Sequence, residues 1–223
     1  MRTALTAFLL CLLTAAPAAA GPWLREKGTG FASTSGTVSQ SKDTSGSIYA
    51  EYGLTDTINL GLDLSMGLDR TGAADGAGVV FLRFPLGSTD GTQRFAWHAG
   101  LGGRYTGLEL SPAFQFGLSW GRGVAWGERW GWATVESSVN FASAPATTRI
   151  KIDGTFGMGL TPQVKAMIQM FNTFEDSEHY AQLAPSILIL PRPDSKTTFQ
   201  IGLEYPVAGG GDTRLKLGIW REF

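Results

Sequence analysis

The sequence has almost no cysteine. Cys11 is the single one in 223 residues, and it lies in an apolar amino-terminal stretch. The chain that follows therefore has no thiol with which to build a disulfide framework. Charge is scarce too, at 17 % of residues against a typical value of about 25 %. Basic residues number 18 and acidic residues 19, so the sequence lacks the basic excess of a nucleic-acid-binding protein.

Long hydrophobic runs are also missing after residue 20. A helix needs roughly 20 consecutive apolar residues to cross a bilayer, and no such run occurs there. Hydrophobic residues nevertheless make up 43 % of the chain, and glycine occurs 30 times. A membrane β-barrel accounts for this combination, because each of its strands carries apolar residues only at every second position.

The first residues differ from the rest. Arg2 precedes the apolar stretch Ala4–Leu13, and Ala18-Ala19-Ala20 precedes Gly21. A positive charge, a short apolar core and an Ala-x-Ala site are typical of a secretory signal peptide. We therefore expect residues 1–20 to be removed on export, and residues 21–223 to form a single barrel domain in the outer membrane.

Apolar residues alternate with small or polar ones through most of the remaining chain. The clearest segment sets Leu60, Leu62, Leu64, Met66 and Leu68 against Asn59, Gly61, Asp63, Ser65 and Gly67. Successive side chains of a strand point to opposite faces, so each such segment predicts a strand with one apolar face. We count about twelve strands. The first, Thr29–Ser41, is poorly patterned, and the tenth, Gln182–Leu190, is apolar on both faces and cannot be oriented.

The connections predict which end of the barrel is which. An even strand number brings both chain ends to one side, the periplasmic side in bacterial barrels. Tight turns are then expected there, as at Thr55–Thr57 and Thr161–Gln163, whereas Gly121–Gly131 is a long connection. The predicted outer loops are Lys42–Gly46, Arg70–Gly76, Phe174–His179 and Gly209–Thr213.

Aromatic residues sort by type on this topology. All seven tryptophans fall at periplasmic strand ends or turns, and Tyr49, Tyr105, Tyr180 and Tyr205 fall near the opposite rim. Amphipathic rings gather at membrane interfaces, so this sorting predicts two aromatic girdles.

A secreted soluble β-sandwich or a lipocalin-like barrel would alternate in the same way. Such a protein needs a polar outer face, whereas the non-apolar face here is largely Gly, Ser and Thr. That composition suits a narrow, crowded interior. The sequence therefore predicts an all-β fold, a closed antiparallel up-and-down transmembrane β-barrel.

The closing strand, Leu215–Phe223, carries apolar residues on one face and ends on an aromatic residue. It resembles the closing strand of Gram-negative outer-membrane β-barrels, whose final Phe is read by their assembly machinery. The resemblance implies Phe223 as an assembly signal, and outer-membrane lipid and lipopolysaccharide as surroundings. Tyr52–Leu64 similarly resembles the turn-and-strand unit of transporter-like outer-membrane barrels, which identifies no substrate.

With the apolar face turned to lipid, both signs of charge face the interior in similar number. The candidate lumen-lining residues are Glu51, Asp63, Arg83, His98, Arg104, Glu136, Lys151, Asp153, Lys165, Glu204 and Lys216. An anion-selective pore would carry a basic surplus, which is absent. The interpretation is a weakly selective channel for small solutes, with a porin-like transport role. A non-conducting structural or assembly-associated barrel is the alternative, and a lipid-modifying enzyme is a third.

Catalytic and metal sites have weak support in the sequence. Neither His98 nor His179 can be placed beside a serine by spacing, as a Ser–His pair requires. The run Glu175–His179 offers oxygen ligands, but without the spacing of a calcium loop. No nucleotide or phosphate-binding motif is present. We therefore predict no catalytic residue, no metal site and no cofactor.

Overall fold

The computed structural model describes residues 21–88, 91–107, 109–143 and 146–223. The predicted signal peptide and Cys11 lie outside the described residues. The strands, numbered in chain order, are β1 Gly30–Ser39, β2 Thr44–Thr55, β3 Ile58–Leu68, β4 Ala74–Pro85, β5 Gln93–Thr106, β6 Glu109–Trp126, β7 Arg129–Ser143, β8 Ala146–Gly159, β9 Val164–Glu175, β10 Glu178–Ile189, β11 Thr197–Ala208 and β12 Arg214–Glu222. In the described part of the chain, no helix has the length and hydropathy needed to span a membrane.

Each strand pairs with its neighbours in sequence, and β1 pairs antiparallel with β12, which closes the barrel. The seam runs from Phe31 opposite Glu222 to Ser39 opposite Arg214 without a register shift. The predicted fold is therefore confirmed, including the pairing of the poorly patterned first strand with the last. We call the end where β1 begins and β12 ends the terminal end, and the other the opposite end.

Alternation along the strands divides the outside of the wall from the inside. In β6, Phe114, Phe116 and Leu118 are exposed on the outer surface at 44 %, 40 % and 46 %. Their neighbours Gln115 and Ser119 are buried in the interior. Most strands repeat this arrangement, so the outer surface is a broad apolar band. A protein surrounded by water rarely exposes so large an apolar surface, whereas a lipid bilayer requires one.

The long connection predicted at Gly121–Gly131 is wrong. Strand β6 continues to Trp126, β7 starts at Arg129, and a two-residue turn joins them. Gly127 occupies that turn with φ of 61°, a left-handed conformation that glycine adopts without steric cost. The hairpin extends past the start of β5 at Gln93, which pairs with Arg122. The part of the hairpin that extends beyond the neighbouring strands has no need for an apolar face. The alternation of apolar and polar residues is therefore lost there.

The loop predicted at Phe174–His179 is also much shorter. Strand β9 runs to Glu175 and β10 begins at Glu178, leaving a turn in which Asp176 has φ of 53°. The structure also orients β10, which the sequence left open. Ser186 and Leu188 are buried inside the barrel, whereas Ile187 and Ile189 are exposed outside it. A register shift at Ala181/Gln182 interrupts its pairing with β11.

Part of the interior of the terminal half is apolar, which the sequence did not predict. Trp132, Met167 and Leu188 form a buried cluster there, and Trp23 and Trp220 pack against it. The expected tryptophan girdle is therefore wrong for these three tryptophans, because they face inward. Trp97, Trp120 and Trp126 do lie on the outer face, where Trp97 stacks between Phe84 and Phe116. Trp132 shares a strand face with Thr134, and Trp220 shares one with Lys216, so alternation indicates their inward orientation better than residue type does.

Close packing inside the wall gives a first testable expectation. A Cβ atom at Gly61 would lie 2.1 Å from the ring of Phe81, which is only 3 % exposed and contacts the His98 ring. Gly61→Ala should therefore lower the free energy of unfolding by about 1–3 kcal/mol, measured by denaturant titration in detergent micelles. Gly154→Ala is the control, because nothing lies within 4 Å of its Cβ position. Equal stability of the two variants would contradict this packing.

Candidate lumen site

Residues 21–28, which we call the amino-terminal segment, enter the barrel from the terminal end. Gly21 and Pro22 are buried, and the Arg83 guanidinium donates a hydrogen bond to the Gly21 carbonyl oxygen. Nearer the mouth, the Arg25 amide donates to Asn59 Oδ1 at 3.2 Å and the Lys27 amide to Asp56 Oδ1 at 3.1 Å. The segment is thus held along its length by the inner wall.

Two glycines in the wall make room for this segment. A Cβ atom at Gly53 would come within 2.3 Å of the Glu26 carbonyl oxygen. A Cβ atom at Gly121 would come within 2.5 Å of the Trp23 ring and 2.6 Å of Pro22 Cγ. Any larger residue at position 53 or 121 would therefore collide with the segment.

Arg83 is the centre of the interior. Its side chain is 2 % exposed and lies 3.1 Å from Glu51 Oε1 and 3.2 Å from Glu136 Oε1. Tyr49 joins them, since its hydroxyl donates to Glu51 Oε1 at 2.6 Å and lies 3.2 Å from Arg83 Nη2. We call these four residues the Arg83 cluster. A buried guanidinium needs such partners, because an unpaired charge in the interior costs several kcal/mol.

Tyr49 was expected at an outer girdle, and that expectation is wrong. Its phenol lies inside the barrel against Phe81, with the ring centroids 6.2 Å apart. The sequence did contain the signal, because Tyr49 alternates with Ile48 and Ala50, which form an apolar strand face with Tyr52 and Leu54. Parity along a strand is thus a stronger indicator of facing than residue type.

A polar cavity of about 610 Å³, which we call the vestibule, opens at the opposite end. Hydroxyls line one wall, and Ser35 and Ser47 share a hydrogen bond of 2.8 Å there. The charged lining residues are Asp43, Asp63, Asp69, Asp75, Asp153, Glu204, Lys151, Arg214 and Lys216. Six carboxylates thus face three cations, whereas the sequence-level interior appeared balanced.

The vestibule narrows to a small pocket of about 70 Å³, which we call the floor pocket. It shares Asp63, Lys151 and Asp153 with the vestibule and reaches down to Arg83 and Glu136. His98 lines it at 5 % exposure. Its Nε2 lies 3.1 Å from Gln115 Nε2, whereas its buried Nδ1 has no hydrogen-bond partner among the described residues.

The charges nearest the opposite rim form a network that the sequence only half revealed. Arg104, on the candidate list, lies 2.6 Å from Glu175 Oε1. Arg149 lies 2.6 Å from the other carboxylate oxygen of Glu175. Neither Glu175 nor Arg149 was singled out as facing the interior. Arg149 shares a strand face with Lys151, so its inward orientation could have been found from parity.

Three further candidates, Lys216, Glu204 and Lys165, are paired or packed. Lys216 Nζ lies 2.9 Å from Glu204 Oε1, with both side chains about nine-tenths buried. Lys165 lies in the terminal half, with Nζ 5.9 Å from the Trp132 ring, where a cation–π contact forms. Together with the Arg83 cluster and the rim network, these contacts account for most of the predicted lumen charges.

A second cavity, of about 550 Å³, opens at the terminal end. We call it the mouth cavity. Its lining includes the amino-terminal segment from Pro22 to Glu26, together with Gly30 and Phe223. The order along the barrel is therefore mouth cavity, amino-terminal segment, Arg83 cluster, floor pocket and vestibule.

The described residues do not bring together the side chains that the metal or catalytic alternatives would need. In the described ranges, no group of three or more His, Cys, Asp or Glu side chains is placed to hold a metal ion. Within the Glu175–His179 run, Glu175 is bound by arginines, Glu178 accepts from Tyr180, and His179 stacks on Phe174. His98 lies inside the barrel, away from the lipid where an acyl chain would be.

A closed twelve-stranded antiparallel barrel with an apolar exterior and a charged interior defines the class of outer-membrane β-barrels. Solved structures agree. The KdgM porin superposes with a TM-score of 0.61 at 8 % identity, covering 86 % of this chain and 99 % of that one. An outer membrane channel from Pseudomonas putida F1 gives 0.56 at 13 % identity, covering 92 % and 99 %.

The β domain of the Bordetella autotransporter BrkA is also similar, with a TM-score of 0.52, 15 % identity, and coverage of 89 % and 100 %. At such identities the likeness shows the shared fold alone. No protein-family model matches the sequence, and no curated protein matches it.

Proposed function

We propose that this chain is an outer-membrane channel for small polar solutes. The observation that carries the proposal is the pair of aqueous cavities, about 610 Å³ and about 550 Å³, entering one barrel from its two ends. What lies between them is the amino-terminal segment and the Arg83 cluster, and the segment is not part of the barrel wall. Displacing the segment would remove part of what separates the cavities without breaking a strand pair.

The fold comparisons support this proposal in a limited way. Two of the similar solved structures are a porin and an outer membrane channel, and both share the barrel architecture. The vestibule adds an interior lined by hydroxyls and carboxylates, which suits hydrated polar solutes.

A non-conducting barrel is the second candidate, because one observation favours it. Trp132, Met167, Leu188, Trp23 and Trp220 fill much of the terminal half. Side chains packed in this way occupy the space through which a solute would pass.

Planar-bilayer recording separates the two candidates. The full folded chain should show discrete conductance steps, with long closed periods because the segment must leave its seat. The same preparation should release small sugars from proteoliposomes but retain larger oligosaccharides. Complete silence in both assays, with folding confirmed by a mobility difference between unboiled and boiled samples, would leave the non-conducting barrel as the answer.

We also propose that the terminal end faces the periplasm and that Phe223 acts in assembly. The Gly30 amide donates to the Phe223 carbonyl oxygen at 2.8 Å, and the Phe223 amide donates back at 3.0 Å. Its ring covers Gly30 as well. Phe223 therefore closes the seam at the first residue of β1.

Removing Phe223 should lower the amount of folded protein in the outer-membrane fraction several-fold, because both the seam bonds and the assembly signal are lost. Unboiled and boiled gels of fractionated cells measure this. Phe199→Ala is the control, since Phe199 is an exposed ring on the outer face of β11. Recovery of the deleted chain at the control's level would contradict the assembly role.

A further inference from the structure

We propose that the vestibule and its floor pocket form a binding site for small hydroxylated organic cations, such as amino sugars. The inference rests on the proposed channel function, and it adds the class of solute. The evidence is the pairing of the interior charges: some form salt bridges, and others face the cavity without one.

Most interior cations are already engaged. Arg83 is shared by Glu51 and Glu136, Arg104 and Arg149 share Glu175, and Lys216 pairs with Glu204. Among the described residues, no salt bridge within 4.0 Å involves Asp63, Asp75 or Asp153. In the described part of the chain, Lys151 and Arg214 also line the vestibule without a salt bridge, so the charges left facing it are five carboxylates, Asp43, Asp63, Asp69, Asp75 and Asp153, against two cations.

The rim of the vestibule carries further negative charge. Asp69 lies in the β3–β4 loop, where hydrogen bonds from the Thr71 hydroxyl and the Ala73 amide hold its pKa below the usual range. Asp43 accepts from the Ser41 hydroxyl at 3.0 Å and the Arg70 amide at 3.0 Å. Asp69 therefore stays ionised at neutral pH. A narrow entrance with this surplus raises the local concentration of cations.

The floor pocket supplies the second, independent observation. His98 Nδ1 is buried and without a hydrogen-bond partner, and its imidazole lines a cavity that also holds Asp63 and Asp153. A buried polar atom without a partner destabilises the protein, so a ligand that satisfies it gains affinity. A hydroxyl can donate or accept, and therefore suits either imidazole tautomer.

The site thus suits a small molecule that carries both an ammonium group and a hydroxyl group. An ammonium would bind Asp63 and Asp153, and a hydroxyl would bind His98 Nδ1. The hydroxyl-lined wall at Ser35 and Ser47 extends the same chemistry toward the opposite end. Solutes built from galacturonate, as named for one KdgM complex, carry carboxylates that this lining would repel.

Isothermal titration of the full chain, folded in detergent micelles, tests the site without requiring conduction. Glucosamine, glucose and galacturonate are the probes, because they share a sugar ring and differ mainly in charge. We expect glucosamine to bind at least about tenfold more tightly than glucose, since hydrogen bonds to charged groups are the stronger ones. Galacturonate should bind least. Equal affinities, or the reverse order, would overturn the proposal.

Variants locate the site. Asp63→Asn with Asp153→Asn should remove the preference for glucosamine over glucose, and Asp63→Asn alone should reduce it, which guards against misfolding of the double variant. Asp194→Asn is the control, because Asp194 is an exposed residue near the terminal end. Unchanged preference in both test variants would refute the site. Conductance without glucosamine preference would refute it while leaving the channel function standing.

Discussion

Replacing Arg83 with methionine is expected to lower the free energy of unfolding by about 3–5 kcal/mol. The substitution keeps side-chain volume but leaves the Glu51 carboxylate, whose side chain is fully buried, without its main counter-charge. It also removes the donor that holds the Gly21 carbonyl. Denaturant titration in micelles, followed by tryptophan fluorescence, measures the loss.

Two further variants interpret that result. Arg192→Met breaks a pair with Asp194 that is about four-fifths exposed, and should cost about 0–1 kcal/mol. Glu51→Gln combined with Arg83→Met should recover part of the loss, because position 51 then carries no unpaired buried charge. If Arg83→Met and Arg192→Met cost the same, Arg83 is not the centre of the interior.

Substituting Gly121 by valine is expected to open the barrel. The new side chain would collide with the Trp23 ring and Pro22, whose nearest atoms lie 2.5 Å and 2.6 Å from the Cβ position. Overpacking of this kind costs about 1–3 kcal/mol, which shifts a closed-to-open equilibrium by about 5- to 150-fold. The open fraction in bilayer recordings should rise by a factor in that range, with the step size unchanged.

Gly123→Val is the matched control, because Gly123 lies two residues further along the same face of β6 and has nothing within 4 Å of its Cβ position. It should behave as the unsubstituted chain. Deleting residues 23–27 should raise the open fraction at least as much as Gly121→Val. A deletion that leaves conductance unchanged would mean that the Trp132 cluster, and not the amino-terminal segment, closes the barrel.

The strand pattern could be predicted because its cause is local. Each strand has one face toward lipid, so apolar residues recur at every second position wherever the chain crosses the bilayer. This identified β3 almost residue by residue. It failed at the β6–β7 hairpin and at the β9–β10 turn, since strands outside the bilayer have no apolar face to reveal them. It also failed to orient β10, in which Leu188 faces the interior.

The candidate site was predicted less completely. Alternation along each strand selected Arg83 and Glu51, but their contact joins β4 to β2 and depends on barrel register. The position of the amino-terminal segment inside the barrel could not be predicted. Gly53 and Gly121 resemble the other strand glycines in sequence, and only the structure places Glu26 and Trp23 against them. The inward orientation of Trp132 was missed for a different reason: it was assigned by residue type, although it alternates with Thr134 on the inner face of β7.

The sequence by itself determined the class of this protein: a chain of alternating strands that closes into a barrel with an apolar exterior. That information is one-dimensional, because a strand's two faces are written in consecutive residues. Only the tertiary structure decided what the interior does. It packs tryptophans into the terminal half, pairs the arginines, and leaves carboxylates facing the vestibule. Those outcomes depend on which strands lie across the interior from each other, and the spacing of residues along the chain does not encode the distances between such strands.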